Sequence, residues 1–223
     1  GQEMGITRIA ETAHKMGIES PLDETPALAL GSSDINLLEL ANAYSTVAND
    51  GKYVKRVLVT RIVDRNGKEV YRAPMNEEQV IPYKSAFLMQ QLLMGGTSEP
   101  GGTSMSLNGY VGKFRDTDWG GKTGTSNNHS DAWFMGFTPQ LVSGCWVGGE
   151  DRDIHFDTMR MGQGATMALP IWAYYMKKVY ADPSLPYDES VKFDLPEGYD
   201  GCSSGESSAD GAEDALDIEE VYE

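Results

Sequence analysis

Cysteine, histidine and basic side chains are scarce in this chain of 223 residues. The two cysteines, Cys145 in an apolar run and Cys202 in a polar segment, lie in environments too different to predict a disulfide bridge. The three histidines, His14, His129 and His155, are far apart and lack the spacing of metal ligands. The sequence therefore predicts neither a disulfide-stabilised scaffold nor a metal site, and no cofactor is expected.

Basic residues are outnumbered, because 18 Lys and Arg stand against 34 Asp and Glu and give a formal net charge of −16. Such a chain repels phosphate backbones, so we expect no nucleic-acid partner. No apolar run reaches the length of a membrane span, and Gly1-Gln2-Glu3 lacks the basic and apolar regions of a signal peptide. We expect any export signal or membrane anchor to lie outside this chain.

Hydrophobic residues make up 40% of the sequence, enough for one sizeable domain or most of one. Their spacing predicts four helices, over Met4–Met16, Ile35–Asn49, Tyr83–Met94 and Ala165–Tyr180. Runs rich in β-forming residues cover Val57–Val63, Lys68–Tyr71, Asp131–Thr138 and Leu141–Gly148. The first two flank an Asn-Gly turn and predict a hairpin, and the last two predict neighbouring antiparallel strands.

Local signals refine these elements. Asp34 or Ser33 is expected to cap the second helix, and Gly95-Gly96 to end the third. Beyond Pro183 the chain is polar and acidic, which predicts a flexible tail. Three aromatic residues of the last two strands are expected to lie in the core: Trp133, Phe134 and Trp146.

The most informative stretch is Gly120–Asn128, in which a lysine, two threonines and a glycine fall within four positions. In a strand, Lys122 and Gly124 would point to one face of the sheet and Thr123 and Thr125 to the other. A Lys-Thr-Gly tripeptide alone is a weak signal, and an ordinary glycine-rich turn would explain it equally well.

Three other motif readings are weaker. A phosphate-binding loop would need glycine where Asp116 stands, and a carboxylate there would repel phosphate. The esterase pattern Gly-x-Ser-x-Gly occurs at Gly201–Gly205, but no apolar strand precedes it. Ser126, His129 and Asp131 are too close in sequence to converge as a catalytic triad.

The segments around Lys-Thr-Gly make it a much stronger signal than the tripeptide alone. Together with its neighbours, it resembles the transpeptidase domain of class A penicillin-binding proteins over roughly Ile6–Tyr180. The segments that carry the resemblance are Gly121–Thr125, Asp131–Pro139, Gly144–Gly148, Ala29–Ser33, Leu38–Tyr44 and Ala48–Gly51.

The resemblance implies an α/β fold of the β-lactamase/transpeptidase type, with an antiparallel sheet flanked by helices on both faces. We expect residues 1–180 to form the C-terminal portion of such a domain, and residues 181–223 to form the acidic tail. The fold is expected to be incomplete in this chain.

Enzymes of this family carry Ser-x-x-Lys with the nucleophile, Ser-x-Asn with a proton-shuttling serine, and Lys-Thr-Gly on an edge strand. Ser-x-x-Lys does not occur in the sequence. Ser106-Leu107-Asn108 and Ser126-Asn127-Asn128 match Ser-x-Asn literally, but the family places that motif well upstream of Lys-Thr-Gly. We therefore expect the nucleophile in an upstream part of the same domain.

The resemblance implies roles for four residues. Lys122 would raise the positive potential of the cleft and, with Thr123 and Thr125, bind the carboxylate of an acyl-D-Ala-D-Ala peptide. The Thr125 N–H would complete an oxyanion hole, and Gly124 would let the peptide lie along the strand. The catalytic candidates are thus Lys122 and Thr125, and the substrate-binding candidates are Lys122, Thr123, Gly124 and Thr125.

The function implied is D,D-transpeptidation of peptidoglycan stem peptides by serine acyl transfer, with β-lactam antibiotics as inhibitors. Full-length relatives imply an additional glycosyltransferase domain, a single N-terminal membrane helix, and a location on the outer, periplasmic face of the cytoplasmic membrane in the cell envelope. Two alternatives remain: a non-catalytic scaffold or sensor module with the same fold, and a serine β-lactamase.

Overall fold

A computed structural model describes residues 4–110 and 117–196, without the side chain of Asn108. Residues 1–192 form one compact unit, and of the second unit, 193–223, only residues 193–196 are described. The helices are α1 (Ile6–Lys15), α2 (Leu37–Ala48), α3 (Tyr83–Ser98), α4 (Met159–Gly162) and α5 (Ala168–Ala181). The strands are β1 (Lys52–Val54), β2 (Arg61–Val63), β3 (Glu69–Arg72), β4 (Glu77–Gln79), β5 (Gly120–Thr125), β6 (Asp131–Phe137) and β7 (Val142–Gly148). Short 3-10 helices cover Pro26–Leu30 and Met105–Gly109.

The central sheet has three antiparallel strands in the order β5-β6-β7. Phe134 of β6 lies opposite Thr123 of β5 and Cys145 of β7. The next residue, Met135, lies opposite Lys122. Since neighbouring residues of a strand point to opposite faces, this register places Lys122 and Thr123 on different faces of the sheet, as their alternation predicts.

Helix α5 covers one face of this sheet. Trp172 of α5 is almost fully buried and packs edge-on against Phe134, with 5.0 Å between ring centroids. A side chain at Gly136 would collide with the Trp172 ring, so glycine is required at this contact. The core cluster on this side comprises Leu107, Trp119, Phe134, Ala168, Leu169, Trp172, Ala173 and Met176.

Helices α2 and α3 lie on the opposite face. A Cβ at Gly144 of β7 would meet Met135 and the Leu37 side chain of α2. One at Gly120 of β5 would lie 3.0 Å from the backbone nitrogen of Met94 in α3. The predicted sheet with helices on both faces is therefore confirmed.

Two small sheets, each of two short strands, form in addition to the central sheet. The Asn-Gly hairpin forms as β2 and β3, and its turn is fixed by the Asp64 carboxylate, which accepts from the backbone N–H groups of Asn66 and Lys68. The pairing of β1 with β4 has no counterpart among the predicted strands, because these strands are only three residues long and far apart in sequence.

Two local predictions are wrong. Asn36, rather than Asp34 or Ser33, caps α2, because its side chain accepts from the Glu39 N–H. Helix α3 continues through Gly95-Gly96 to Ser98. In its last turn the buried Thr97 hydroxyl donates to the Met94 carbonyl oxygen at 2.6 Å and also lies 3.3 Å from the Trp119 carbonyl oxygen.

The aromatic residues of β6 and β7 do not share one environment. Phe134 is fully buried as predicted, whereas Trp133 is half-buried and Trp146 is 42% exposed. Trp133 and Trp146 lie opposite each other on the face away from α5, with 6.3 Å between their ring centroids. The expectation that Trp146 lies in the core is therefore wrong.

The buried Glu39 carboxylate ties α2 to the preceding loop. It accepts from the backbone N–H groups of Glu19 at 3.0 Å and Ser20 at 2.9 Å, and from the Asn36 amide at 2.5 Å. Burial alone would raise the pKa of Glu39, but these hydrogen bonds outweigh it and hold the pKa below its ordinary value of 4.5. The ionised form therefore stabilises the fold.

Replacing Glu39 with glutamine is expected to lower the free energy of unfolding at pH 7 by about 2 kcal/mol, since charge-assisted hydrogen bonds become neutral ones. A depressed carboxyl pKa stabilises the protein above the pKa of the unfolded chain, and that contribution is lost as pH falls through the folded-state pKa. The difference between the two proteins should thus shrink from pH 7 to pH 3 in urea titrations. The exposed Glu150→Gln is the matched control, and a pH-independent difference would contradict the prediction.

Candidate active site

Strand β5, which carries the Lys-Thr-Gly-Thr sequence, is an outer strand of the central sheet. Within the described residues, β5 pairs with β6 and with no second strand. An outer strand leaves backbone donors and acceptors free along one edge, where an extended peptide can add as a further strand. The position of the motif therefore suits peptide binding.

Lys122 and Thr123 sit in the middle of β5. The Lys122 side chain is exposed, and its ammonium donates to the Thr123 carbonyl oxygen at 2.8 Å. Thr123 is half-buried on the face toward α5. The exposed ammonium beside an open strand edge supplies a cation that a ligand carboxylate could reach.

Thr125 ends the strand with an exposed side chain. Its hydroxyl oxygen accepts a hydrogen bond of 3.0 Å from the backbone N–H of Gly164, in the loop between α4 and α5. Gly164 is buried, and its backbone lies close to that of Gly124. At Gly124 itself a Cβ would be 3.2 Å from the Trp133 side chain, so this glycine allows close packing within the sheet.

The turn from β5 to β6 is fixed by a network of short polar side chains. The Ser126 hydroxyl accepts from the backbone N–H groups of Ser130 and Asp131 at 3.0 and 2.9 Å, and it also contacts Asn128. Within the described part of the chain, His129 is not among its side-chain partners. The rejection of a Ser126, His129 and Asp131 triad therefore agrees with the geometry.

Asp131 anchors this turn to the neighbouring strand. Its carboxylate accepts from the Ser130 hydroxyl at 2.7 Å and from the Trp146 indole at 3.0 Å, and Arg152 lies 3.9 Å away. Burial alone would raise the pKa of Asp131, but these hydrogen bonds and the Arg152 charge hold it below its ordinary value. Arg152 also pairs with Asp34.

The sequence contains no pattern that would have singled out Gly164 or Arg152 for this region, and it singles out Asp131 only within the Asp131–Pro139 segment and the discarded triad. Each makes at least one contact with a residue distant in sequence: Gly164 with Thr125, Asp131 with Trp146, and Arg152 with Asp34. Of the predicted site residues, the structure places Lys122, Thr123, Gly124 and Thr125 along one strand, as their adjacency requires.

The remaining motif matches are not part of this strand. Ser106-Leu107-Asn108 lies in a short 3-10 helix whose Leu107 is fully buried. Asp116 and Gly201–Gly205 fall outside the described residues. Among the described residues, no group of histidine, cysteine or carboxylate side chains is arranged to hold a metal ion. In the same part of the chain, no helix is long and apolar enough to cross a membrane.

Comparisons with known proteins agree with this fold and strand. The family described as penicillin binding protein transpeptidase domain matches residues 1–144, which include the Lys-Thr-Gly-Thr sequence. An antiparallel sheet between helical layers and a matching family sequence define the class: the chain belongs to the penicillin-binding protein transpeptidase-domain family. The resemblance to class A penicillin-binding proteins is thereby confirmed.

Two curated penicillin-binding proteins illustrate how similar this chain is to known proteins. Penicillin-binding protein 2D of Bacillus subtilis is 29% identical over 205 residues, which cover 89% of this chain and 27% of that protein. Penicillin-binding protein 1A of Rickettsia conorii is 32% identical over 215 residues, covering 85% of this chain and 26% of its own length. This chain thus spans about a quarter of the length of these curated relatives.

Two solved structures show the same arrangement. Penicillin-binding protein 1A of Haemophilus influenzae superposes with a TM-score of 0.72 at 26% identity, covering 88% of this chain and 33% of that one. PonA1 of Mycobacterium tuberculosis gives a TM-score of 0.58 at 26% identity over 76% of this chain and 48% of its own, in complex with penicillin V.

Proposed function

We propose that this chain is the C-terminal portion of a peptidoglycan D,D-transpeptidase domain that cross-links stem peptides ending in D-Ala-D-Ala. The observation that carries the proposal is the Lys122–Thr125 segment, exposed at Lys122 and Thr125, on an outer strand of a chain that belongs to the penicillin-binding transpeptidase-domain family. The parent protein, in which this chain continues from its upstream segment, supplies the nucleophilic serine and the Ser-x-Asn motif.

The reaction has two halves. The upstream serine attacks the carbonyl of the penultimate D-Ala, the acyl bond to serine forms, and the terminal D-Ala leaves with a proton on its amine. An amine of a second stem peptide then attacks the acyl-enzyme, forms the cross-link and returns the proton to the serine oxygen. The product is a cross-linked cell wall.

The residues of β5 would hold the donor peptide during both halves. The Lys122 ammonium attracts the terminal carboxylate and supports the proton network around the shuttling serine. The Thr123 and Thr125 hydroxyls hydrogen-bond that carboxylate. The Thr125 N–H pairs with an N–H of the nucleophilic serine to stabilise the tetrahedral oxyanion, a contribution typically worth 100-fold or more. No cofactor takes part.

An open apolar groove supports the proposal that an upstream part of the domain packs on this chain. The groove has a volume of about 310 Å³ and lies among α1, the 26–30 segment, α2 and α3. Beside it, α3 exposes Leu88, Met89 and Leu92, the last of them 73% exposed. Apolar surface of this extent is expected to be covered by further protein. The domain boundary at residue 180, before the acidic tail, stays a prediction, whereas the compact unit of the structure extends to residue 192.

The complete parent is proposed to carry a glycosyltransferase domain and an N-terminal membrane helix, and to act on the outer face of the cytoplasmic membrane. Support for a larger parent comes from the short share of each relative that this chain covers. β-Lactams are the proposed inhibitors, because the PonA1 relative was solved with penicillin V. A β-lactam imitates the terminal dipeptide and acylates the same serine.

The test is intact-mass measurement after incubation with a fluorescent penicillin. We expect a single penicilloyl adduct on the parent protein, located by peptide mapping on a serine upstream of residue 1, and none on this chain alone. Rapid release of the adduct with turnover of the penicillin would instead favour a β-lactamase. A folded parent that forms no adduct would contradict the enzyme and favour a non-catalytic scaffold or sensor.

A further inference from the structure

The Thr125 hydroxyl has only part of its hydrogen-bonding capacity in use. Its oxygen accepts from the Gly164 N–H at 3.0 Å. A hydroxyl has one proton to donate beyond the lone pairs that accept. Among the described residues, none accepts the hydroxyl proton of Thr125, and the Thr125 side chain is exposed. The Gly164 N–H therefore occupies one lone pair of this hydroxyl and leaves its proton available to an acceptor from outside the described residues.

Gly164 fits its place only because it has no side chain. A Cβ there would overlap the carbonyl oxygen of Trp133 and lie 2.6 Å from the carbonyl oxygen of Gly124. Both obstacles are backbone atoms of the central sheet, which cannot move aside as the end of a flexible side chain could. The close approach brings the Gly164 N–H within hydrogen-bond distance of Thr125.

Hydrogen bonds from the start of α5 fix the backbone of Gly164. Its carbonyl oxygen accepts from the backbone N–H groups of Ala168 at 3.1 Å and Leu169 at 2.9 Å, at the start of α5. Both of these residues are completely buried. The position of the Gly164 N–H is thus set by the packing of α5 against the sheet, and a rigid donor keeps the Thr125 hydroxyl in one orientation.

We propose that Gly164 is a positioning residue, which orients the Thr125 hydroxyl to donate its proton to the carboxylate of a bound stem peptide or β-lactam; this rests on the proposed function. A preoriented donor loses less conformational freedom when the ligand binds. The Gly164 N–H would donate to the Thr125 hydroxyl, and that hydroxyl would donate to the carboxylate. These two consecutive hydrogen bonds strengthen each other by mutual polarisation.

The experiment measures the second-order rate of acylation of the parent protein by a penicillin and by the methyl ester of the same penicillin. The ester removes the carboxylate charge that the Thr125 hydroxyl is proposed to recognise. We compare Gly164→Ala, Thr125→Val, Thr125→Ser and the double variant of Gly164→Ala with Thr125→Val. The control is Gly109→Ala, because no atom lies within 4 Å of a Cβ at that glycine.

Gly164→Ala and Thr125→Val are each expected to slow acylation by the free acid about tenfold, the size of one hydrogen bond. The double variant should be no slower than Thr125→Val, because both changes remove the same contact. Thr125→Ser, which keeps the hydroxyl, should recover most of the rate that Thr125→Val loses. Reaction of the ester should change by less than about twofold in every variant.

Equal slowing of acid and ester by Thr125→Val, which leaves the backbone of Gly164 unchanged, would overturn the inference. So would unchanged acylation by the acid in a folded Gly164→Ala protein, as judged by its thermal unfolding. No acylation of the unmodified parent would overturn the proposed function itself, and the inference with it. The two failures are therefore distinguishable.

Discussion

Replacing Lys122 with methionine is expected to slow penicilloylation of the parent protein at least about 100-fold, without a comparable loss of stability. Lys122 is exposed on the outer strand, and its ammonium makes one hydrogen bond to its own strand, at the Thr123 carbonyl. Methionine has a similar length and no charge, so the change removes the cation and little packing. The lost positive potential should weaken both carboxylate binding and the proton network around the serine.

The measurement is the acylation rate against penicillin concentration, so that binding and chemistry are resolved separately. Lys122→Arg is the matched variant, because it keeps the charge but changes the shape of the donor. We expect its rate to fall between those of the unmodified and the methionine proteins. Equal rates for the methionine variant and the unmodified protein would remove Lys122 from the proposed site.

Replacing Trp172 with alanine is expected to lower the free energy of unfolding by about 3–5 kcal/mol, the range for truncating a large buried aromatic residue. Trp172 is 1% exposed and contacts Phe134 and Trp119, and its indole donates to the Ser143 carbonyl at 3.2 Å. Alanine would leave a cavity between α5 and the sheet and would remove the hydrogen bond from the indole to Ser143.

Urea denaturation of the 223-residue chain measures this effect. Tyr175→Ala on the same helix is the control, since Tyr175 is 49% exposed and its truncation should change stability by less than about 1 kcal/mol. Because α5 also holds Gly164, the Trp172 variant should lose order at the Thr125 end of β5. Comparable destabilisation by the two truncations would contradict the packing described for α5.

Much of the fold can be predicted from local sequence patterns. The run of β-forming residues over Asp131–Thr138 predicts β6 to within one residue, and the Asn-Gly turn predicts the β2–β3 hairpin. Both signals involve residues that are neighbours in the chain, so no tertiary information is needed. The end of α3 could not be predicted in this way, because Gly95-Gly96 is typical of a helix end, whereas Thr97, beyond it, is buried and contacts Trp119, 22 residues further on.

The candidate site shows the same division. The Lys-Thr-Gly-Thr sequence is contiguous, so its residues could be named and its alternation across the sheet foreseen. The roles of Lys122, Thr123, Gly124 and Thr125 stay predictions. The hydrogen bond between Gly164 and Thr125 joins residues 39 positions apart, and no sequence spacing predicts it. Trp146 has an apolar neighbourhood in sequence but faces away from α5 and donates to Asp131.

The sequence by itself determined the order of the four long helices and of strands β2, β3, β6 and β7, the turn of the main hairpin, the excess of acidic charge and the family to which the chain belongs. These depend on residue chemistry and on spacing within a few turns of chain. Only the tertiary structure decided which face of each strand is buried, and which loop steadies Thr125. Such contacts arise when distant segments meet under the demands of close packing and hydrogen-bond satisfaction, and those demands have no period along the chain.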